Sequence, residues 1–104
     1  MHARGDKRTA LHIIGIERWG QRRLRVALGE PFELDEYDEY QPSEDLGWEE
    51  LIDTFHNARR ETAALAKAMG ERGDAHIYIR HNQFGDLSVR SWFRYLDMHA
   101  NIES

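Results

Sequence analysis

Apolar positions recur at helical spacing in three stretches of the chain. From about Lys7 to Leu28, residues laid out at about 100° each place Ile13, Ile16, Trp19, Gly20, Leu24 and Ala27 in one arc, with Arg18, Gln21, Arg22 and Arg25 opposite. Asp6 is placed to cap this helix, and Gly29, Glu30 and Pro31 supply a stop. A second helix is predicted from Gly47, its N-cap, with Glu49 and Glu50 in the first turn and Leu46 able to staple onto Leu51. Leu51, Phe55, Ala58, Thr62, Leu65 and Met69 then alternate spacings of four and three, a bundle seam, and Gly70 is read as its end. Between Glu71 and Leu87 the periodicity lapses: His76 to Ile79 reads as extended and His81 to Asp86 as a loop. Ser88 caps a third helix, where Val89, Trp92, Phe93, Leu96, His99, Ala100 and Glu103 share a side.

Stripes this wide predict an all-α fold, a bundle of three long helices. The link from Gly29 to Gly47 is long for such a fold. Roughly eighteen extended residues reach ~60 Å, beyond the ~30 Å of a twenty-residue helix, so the link is expected to cross over the bundle and leave the first two helices parallel. The third then runs antiparallel to the first, which brings His12 and His99 to one end.

The chain has 104 residues and no internal repeat, so residues 1–104 are expected to form a single helical domain. It contains no cysteine, which excludes disulfides, thiolate metal sites and a thiol nucleophile, and any metal must be held by His, Asp or Glu. The apolar run Leu11 to Ile16 contains His12 and is followed by Glu17 and Arg18, so neither a membrane span nor a signal core is expected, and a cytoplasmic setting follows. Net charge is −5, with acidic residues crowded from Glu30 to Glu50 and arginines before them. Opposite blocks of this kind suit solvated or mutually paired faces, and an acidic crossover repels phosphates, so no nucleic-acid partner is expected.

His12 lies within the apolar arc of the first helix, beside Ile16 and Trp19; a buried imidazole there must be hydrogen-bonded or bind a metal. His99 and Glu103 stand one turn apart and can reach the same ion. His12, His99 and Glu103 thus form a candidate two-histidine, one-carboxylate site for a divalent transition metal, without choosing among Zn, Ni, Fe and Mn. Each histidine alone is more often a satisfied core or boundary residue. His2 is terminal, His56 reads as a boundary residue, and His76 and His81 as loop polarity. Trp19, Trp48 and Trp92 are expected in the core.

The run Leu11-His12-Ile13-Ile14-Gly15-Ile16-Glu17-Arg18-Trp19, the stretch Gly29-Glu30-Pro31-Phe32, the start Leu46-Gly47-Trp48-Glu49-Glu50-Leu51 and the ending Trp92-Phe93-Arg94-Tyr95-Leu96-Asp97-Met98-His99 together resemble the DinB-like (DNA-damage-inducible) superfamily. The resemblance covers nearly the whole chain. It implies a four-helix bundle with a long crossover between the second and third helices, and a divalent metal held by one histidine early in the second helix and an HxxxH pair on the fourth. His12 matches the first and His99 the start of the pair, while Glu103 stands where the second histidine of the pair would be. Only some ten residues precede His12, so the chain looks like helices two to four, with the family's first helix missing. Family activities include thiol S-transferases, a thiol-dependent isomerase and presumed metal-dependent hydrolases. The resemblance therefore implies a metal-dependent thiol S-transferase or hydrolase acting on a small-molecule or thiol substrate; the alternative is a metal-free helical interaction module. Three wide stripes without a fourth element also predict a homo-oligomer, most simply a dimer, unless the Glu71 to Leu87 segment folds into the gap.

Overall fold

The computed structural model describes residues 7–73 and 76–102, the last two by backbone alone. His2, Asp6 and Glu103 lie outside them. The order is α1 (Lys7–Val26), a 3₁₀ turn (Tyr37–Tyr40), α2 (Trp48–Arg72), β1 (Tyr78–His81), β2 (Gly85–Ser88) and α3 (Val89–Ile102).

Helix ends follow local chemistry. α1 stops at Val26, short of the expected Leu28, because the next N–H groups tighten onto Leu24, Arg25 and Val26 carbonyls at 3.1, 2.9 and 3.1 Å. α2 runs past Gly70, which stays helical, to Arg72, and stops at Gly73. That residue is left-handed at φ 76° and its N–H donates to the Gly70 carbonyl at 3.2 Å. Ser88 Oγ accepts the Ser91 N–H at 3.1 Å, an N-cap for α3.

The segment expected as an extended piece and a loop is an antiparallel hairpin, with Tyr78 opposite Ser88 and His81 opposite Gly85. The fold is therefore mostly helical with a small two-stranded sheet. Burial alternates along β1, exposed at Tyr78 and Arg80, buried at Ile79 and His81. Sequence periodicity missed β2 because four residues of Gly-Asp-Leu-Ser carry little strand propensity; pairing with β1 holds them.

The core has two parts. One gathers Ala10, Leu11, Ile13 and Ile14 of α1 with Leu51 and Phe55 early in α2 and Ala100 late in α3. The other gathers Ile16, Trp19 and Leu24 with Met69 late in α2, Ile79, and Val89, Trp92 and Leu96 of α3. α1 and α2 thus run parallel and α3 antiparallel to them. α1 packs on both neighbours, whereas the backbones of α2 and α3 scarcely meet, and the hairpin packs on α1 and α3. At Gly20 a Cβ would stand 2.4 Å from a Leu96 methyl, and at Gly15 one would stand 2.8 Å from the Tyr37 carbonyl, so α3 and the crossover lie directly on the α1 backbone. Trp48, expected in the core, is 41% exposed at the start of α2. No helix among the described residues is long and apolar enough to cross a membrane.

Candidate functional site

A cavity of about 190 Å³ opens where α1, the crossover, the hairpin turn and α3 converge. His12, Ile16 and Trp19 line it from α1, Glu36 and Tyr37 from the crossover, His81, Asn82 and Gln83 from the turn, and Tyr95 and His99 from α3. The two histidines read from the helical stripes therefore meet at one cavity from opposite ends of the chain. Glu103 lies outside the described residues. His81, read as loop polarity, is instead 2% exposed and belongs to the cavity wall.

Each ring is oriented differently. His99 Nδ1 is 3.0 Å from the Tyr95 carbonyl oxygen. A carbonyl only accepts, so in the neutral ring Nδ1 carries the proton and Nε2 keeps its lone pair. A backbone carbonyl on the far nitrogen is also the outer contact that orients metal-binding histidines. The His12 ring meets Tyr37 edge to face, with centroids 4.8 Å apart.

His81 has the reverse arrangement. Its Nδ1 accepts the backbone N–H groups of Gln83 at 3.0 Å and Phe84 at 3.3 Å, so the neutral ring is protonated at Nε2 and offers no lone pair to a metal. Nε2 is buried with no hydrogen-bond partner, and the ring stands nearly perpendicular to Trp19 and Tyr95, whose π faces are weak acceptors. Burial, aided by the charges of Arg23 and His99, pushes the imidazole down to about 4, so His81 is neutral at physiological pH. Burial likewise raises the Tyr95 phenol, with Tyr37 adding to it, so Tyr95 stays a protonated donor.

The crossover and hairpin walls are joined through a buried arginine. Arg23 donates to the Arg80 carbonyl at 2.5 Å, the Asp35 carboxylate at 3.0 Å, the Asp35 carbonyl at 3.2 Å and Asn82 Oδ1 at 2.8 Å. Asn82 Nδ2 donates to the Asp35 carbonyl at 2.7 Å, while Trp19 Nε1 and the Tyr40 hydroxyl donate to the Asp35 carboxylate. Burial alone would raise the Asp35 carboxyl; the hydrogen bonds from Tyr40, Arg23 and Trp19 and the arginine charge outweigh it and hold it below the usual range. The opposed charge blocks of the sequence thus meet: Arg23 pairs with Asp35, and Arg22 lies 3.7 Å from Glu30 and 3.8 Å from Glu33.

A second polar cluster lies away from the cavity. Glu17 is 1% exposed, takes both Arg59 Nη1 contacts at 3.1 Å and accepts the Thr62 hydroxyl, while Arg59 Nη2 reaches Asp97 at 2.8 Å. Burial raises the Glu17 carboxyl despite these partners.

The donor set fits a metal in part. Two imidazoles face one cavity, yet among the described residues no group of three or more His, Asp or Glu is placed to hold an ion. Glu36 is the carboxylate residue among those lining the cavity. No protein-family model, curated protein or solved structure matches this chain.

Proposed function

We propose that the chain is a DinB-like divalent-metal-binding protein whose centre uses His12 and His99, with Glu103 as the third donor. The observation carrying this reading is the shared cavity of two histidines brought together from α1 and α3, one of them with its Nε2 lone pair left free by the Tyr95 carbonyl. Two imidazoles and a carboxylate suit Zn, Ni, Fe or Mn and leave positions for water or substrate. A bound ion supplies Lewis acidity that makes a nucleophile from water or a thiol at neutral pH, as metal-dependent hydrolysis or thiol S-transfer requires. Tyr95 offers a protonated phenol beside it, and Trp19 and Ile16 give an apolar wall for a small substrate.

Calorimetry with Zn²⁺ and Ni²⁺ near neutral pH tests this. One ion per chain is expected, with His12→Ala and His99→Ala each weakening binding by about tenfold or more. Glu103→Gln is expected to weaken it less than either, and Glu103→His to tighten it. Unchanged stoichiometry and affinity in both histidine variants would remove the site.

The alternative, a metal-free interaction module, draws on a different observation, the open cleft between α2 and α3.

A further inference from the structure

One polar group in the cavity wall is not used by the proposed centre. His81 Nδ1 takes two backbone N–H groups of its own turn, so the neutral ring carries its proton on Nε2, which is buried and has no hydrogen-bond partner. The two nitrogens of an imidazole point in nearly opposite directions, so Nε2–H is turned away from the hairpin turn, toward the side of the cavity walled by Trp19 and Tyr95. Phe84 and Trp92 lie against the ring, tilted 38° and 37° to it with centroids 4.7 and 5.1 Å away, and hold its plane. Arg23 holds the strand and turn behind it through the Arg80 carbonyl and Asn82. A buried donor fixed this firmly destabilises the fold until an acceptor meets it.

The surroundings restrict what that acceptor is. The neighbouring indole N–H groups are themselves donors and are committed, Trp19 to the Asp35 carboxylate and Trp92 to the Ile79 carbonyl. A water or hydroxyl accepting from Nε2 brings a proton of its own into this ring of donors and π faces, whereas a carbonyl oxygen only accepts. No Lys or Arg lines the cavity among the described residues, and the Arg23 charge is paired with Asp35, so a charged oxyanion at this wall would be desolvated without a cation to meet it. The cavity of about 190 Å³ has room for on the order of six waters at ~30 Å³ each, enough for a small organic ligand.

We infer that His81 Nε2–H is a binding donor for the uncharged carbonyl oxygen of a small amide, ester or thioester that enters this cavity. The Tyr95 ring, partly exposed and nearly perpendicular to His81, turns aside to uncover the nitrogen, which has no surface of its own while that ring stands against it. A fixed N–H on a carbonyl also stabilises the negative charge that the oxygen gains when the carbonyl carbon is attacked. The inference names a substrate class for the proposed centre and rests on that reading for its catalytic use, but the hydrogen bond itself needs no metal.

The test uses the unaltered chain in EDTA, with N,N-dimethylacetamide as probe because it accepts hydrogen bonds and donates none. Proton–nitrogen correlation spectra of the imidazoles should show His81 in its Nε2–H form. Titration with the probe should move that proton downfield and saturate at millimolar concentrations, as suits a ligand of a few atoms. Acetate should move it less. His81→Asn keeps an Oδ1 for the turn's N–H groups but is too short to carry a donor to the cavity; it should weaken probe binding about tenfold or more, read from the Trp19 indole N–H resonance. An Nδ1–H form of His81, a proton that the probe leaves unmoved, an equal response to acetate, or undiminished binding in a folded His81→Asn chain each overturns the inference. Calorimetry with Zn²⁺ on the same preparation separates the two proposals. Zn²⁺ bound with no probe response removes this inference alone, and a probe response with no Zn²⁺ bound removes the metal centre alone.

Discussion

Three histidines border one cavity, and the partner of Nδ1 separates them chemically. A carbonyl at His99 leaves Nε2 as a base, and two N–H donors at His81 leave Nε2 as an acid, so of these two rings His99 can ligate a metal and His81 cannot. The depressed His81 value has a consequence for stability. Unfolded, the ring titrates near its ordinary 6.5; folded, near about 4, so between those values the unfolded chain binds the extra proton. The stability this neutral ring confers is complete above pH 6.5 and is lost as pH falls toward 4, at up to ~1.4 kcal/mol per pH unit. Urea unfolding across that window should show the decline, and His81→Asn, whose Oδ1 can accept the same N–H groups without titrating, should flatten it. An unchanged slope in the variant would mean that another group carries the proton. His81 shares the inner face of β1 with Ile79, but in sequence it stands at the edge of a run read as a loop, where alternation has no meaning and burial is not legible.

At the scale of elements, α1 is the organiser because it is packed on more than one side. Gly20 admits Leu96 of α3 and Gly15 admits the crossover at Tyr37 and Gln41. Gly20→Ala and Gly15→Ala should each destabilise by about 1–3 kcal/mol in denaturant unfolding, overpacking outweighing the better helix propensity of alanine. The Gly15 change should be the less forgiving, since its obstacle includes a backbone oxygen, whereas Leu96 is a side chain that can turn. Stabilisation by either change would show that the helices are not in such close contact. The apolar arc of the sequence marked Gly20 as a contact position, but which element approaches it depends on packing.

At the scale of the molecule, Arg23 joins α1, the crossover and the hairpin and closes two walls of the cavity. It also lies over the Trp19 and Phe32 rings, 4.9 Å from each centroid. Arg23→Met should cost about 3–5 kcal/mol, because it leaves the Asp35 carboxylate buried without its cation. Amide exchange should accelerate at the crossover and hairpin turn more than in α2. Uniform acceleration would indicate that the network does no more than support the whole fold.

Helix positions, the Ser88 cap, the length of the crossover and the convergence of His12 and His99 were determined by the sequence itself, because periodicity, capping and chain reach are local or nearly local properties. Tertiary structure alone decided the rest. His81 is buried, and Arg23 sits in the interior despite belonging to a basic run, because partners 12 and 57 to 59 residues away in sequence pair its charge and take the donors of Nη1 and Nη2. Trp48 is 41% exposed at the start of α2, although helical spacing grouped it with the core tryptophans. Burial of a polar or aromatic side chain depends on what arrives from elsewhere in the chain, and no local pattern encodes that arrival.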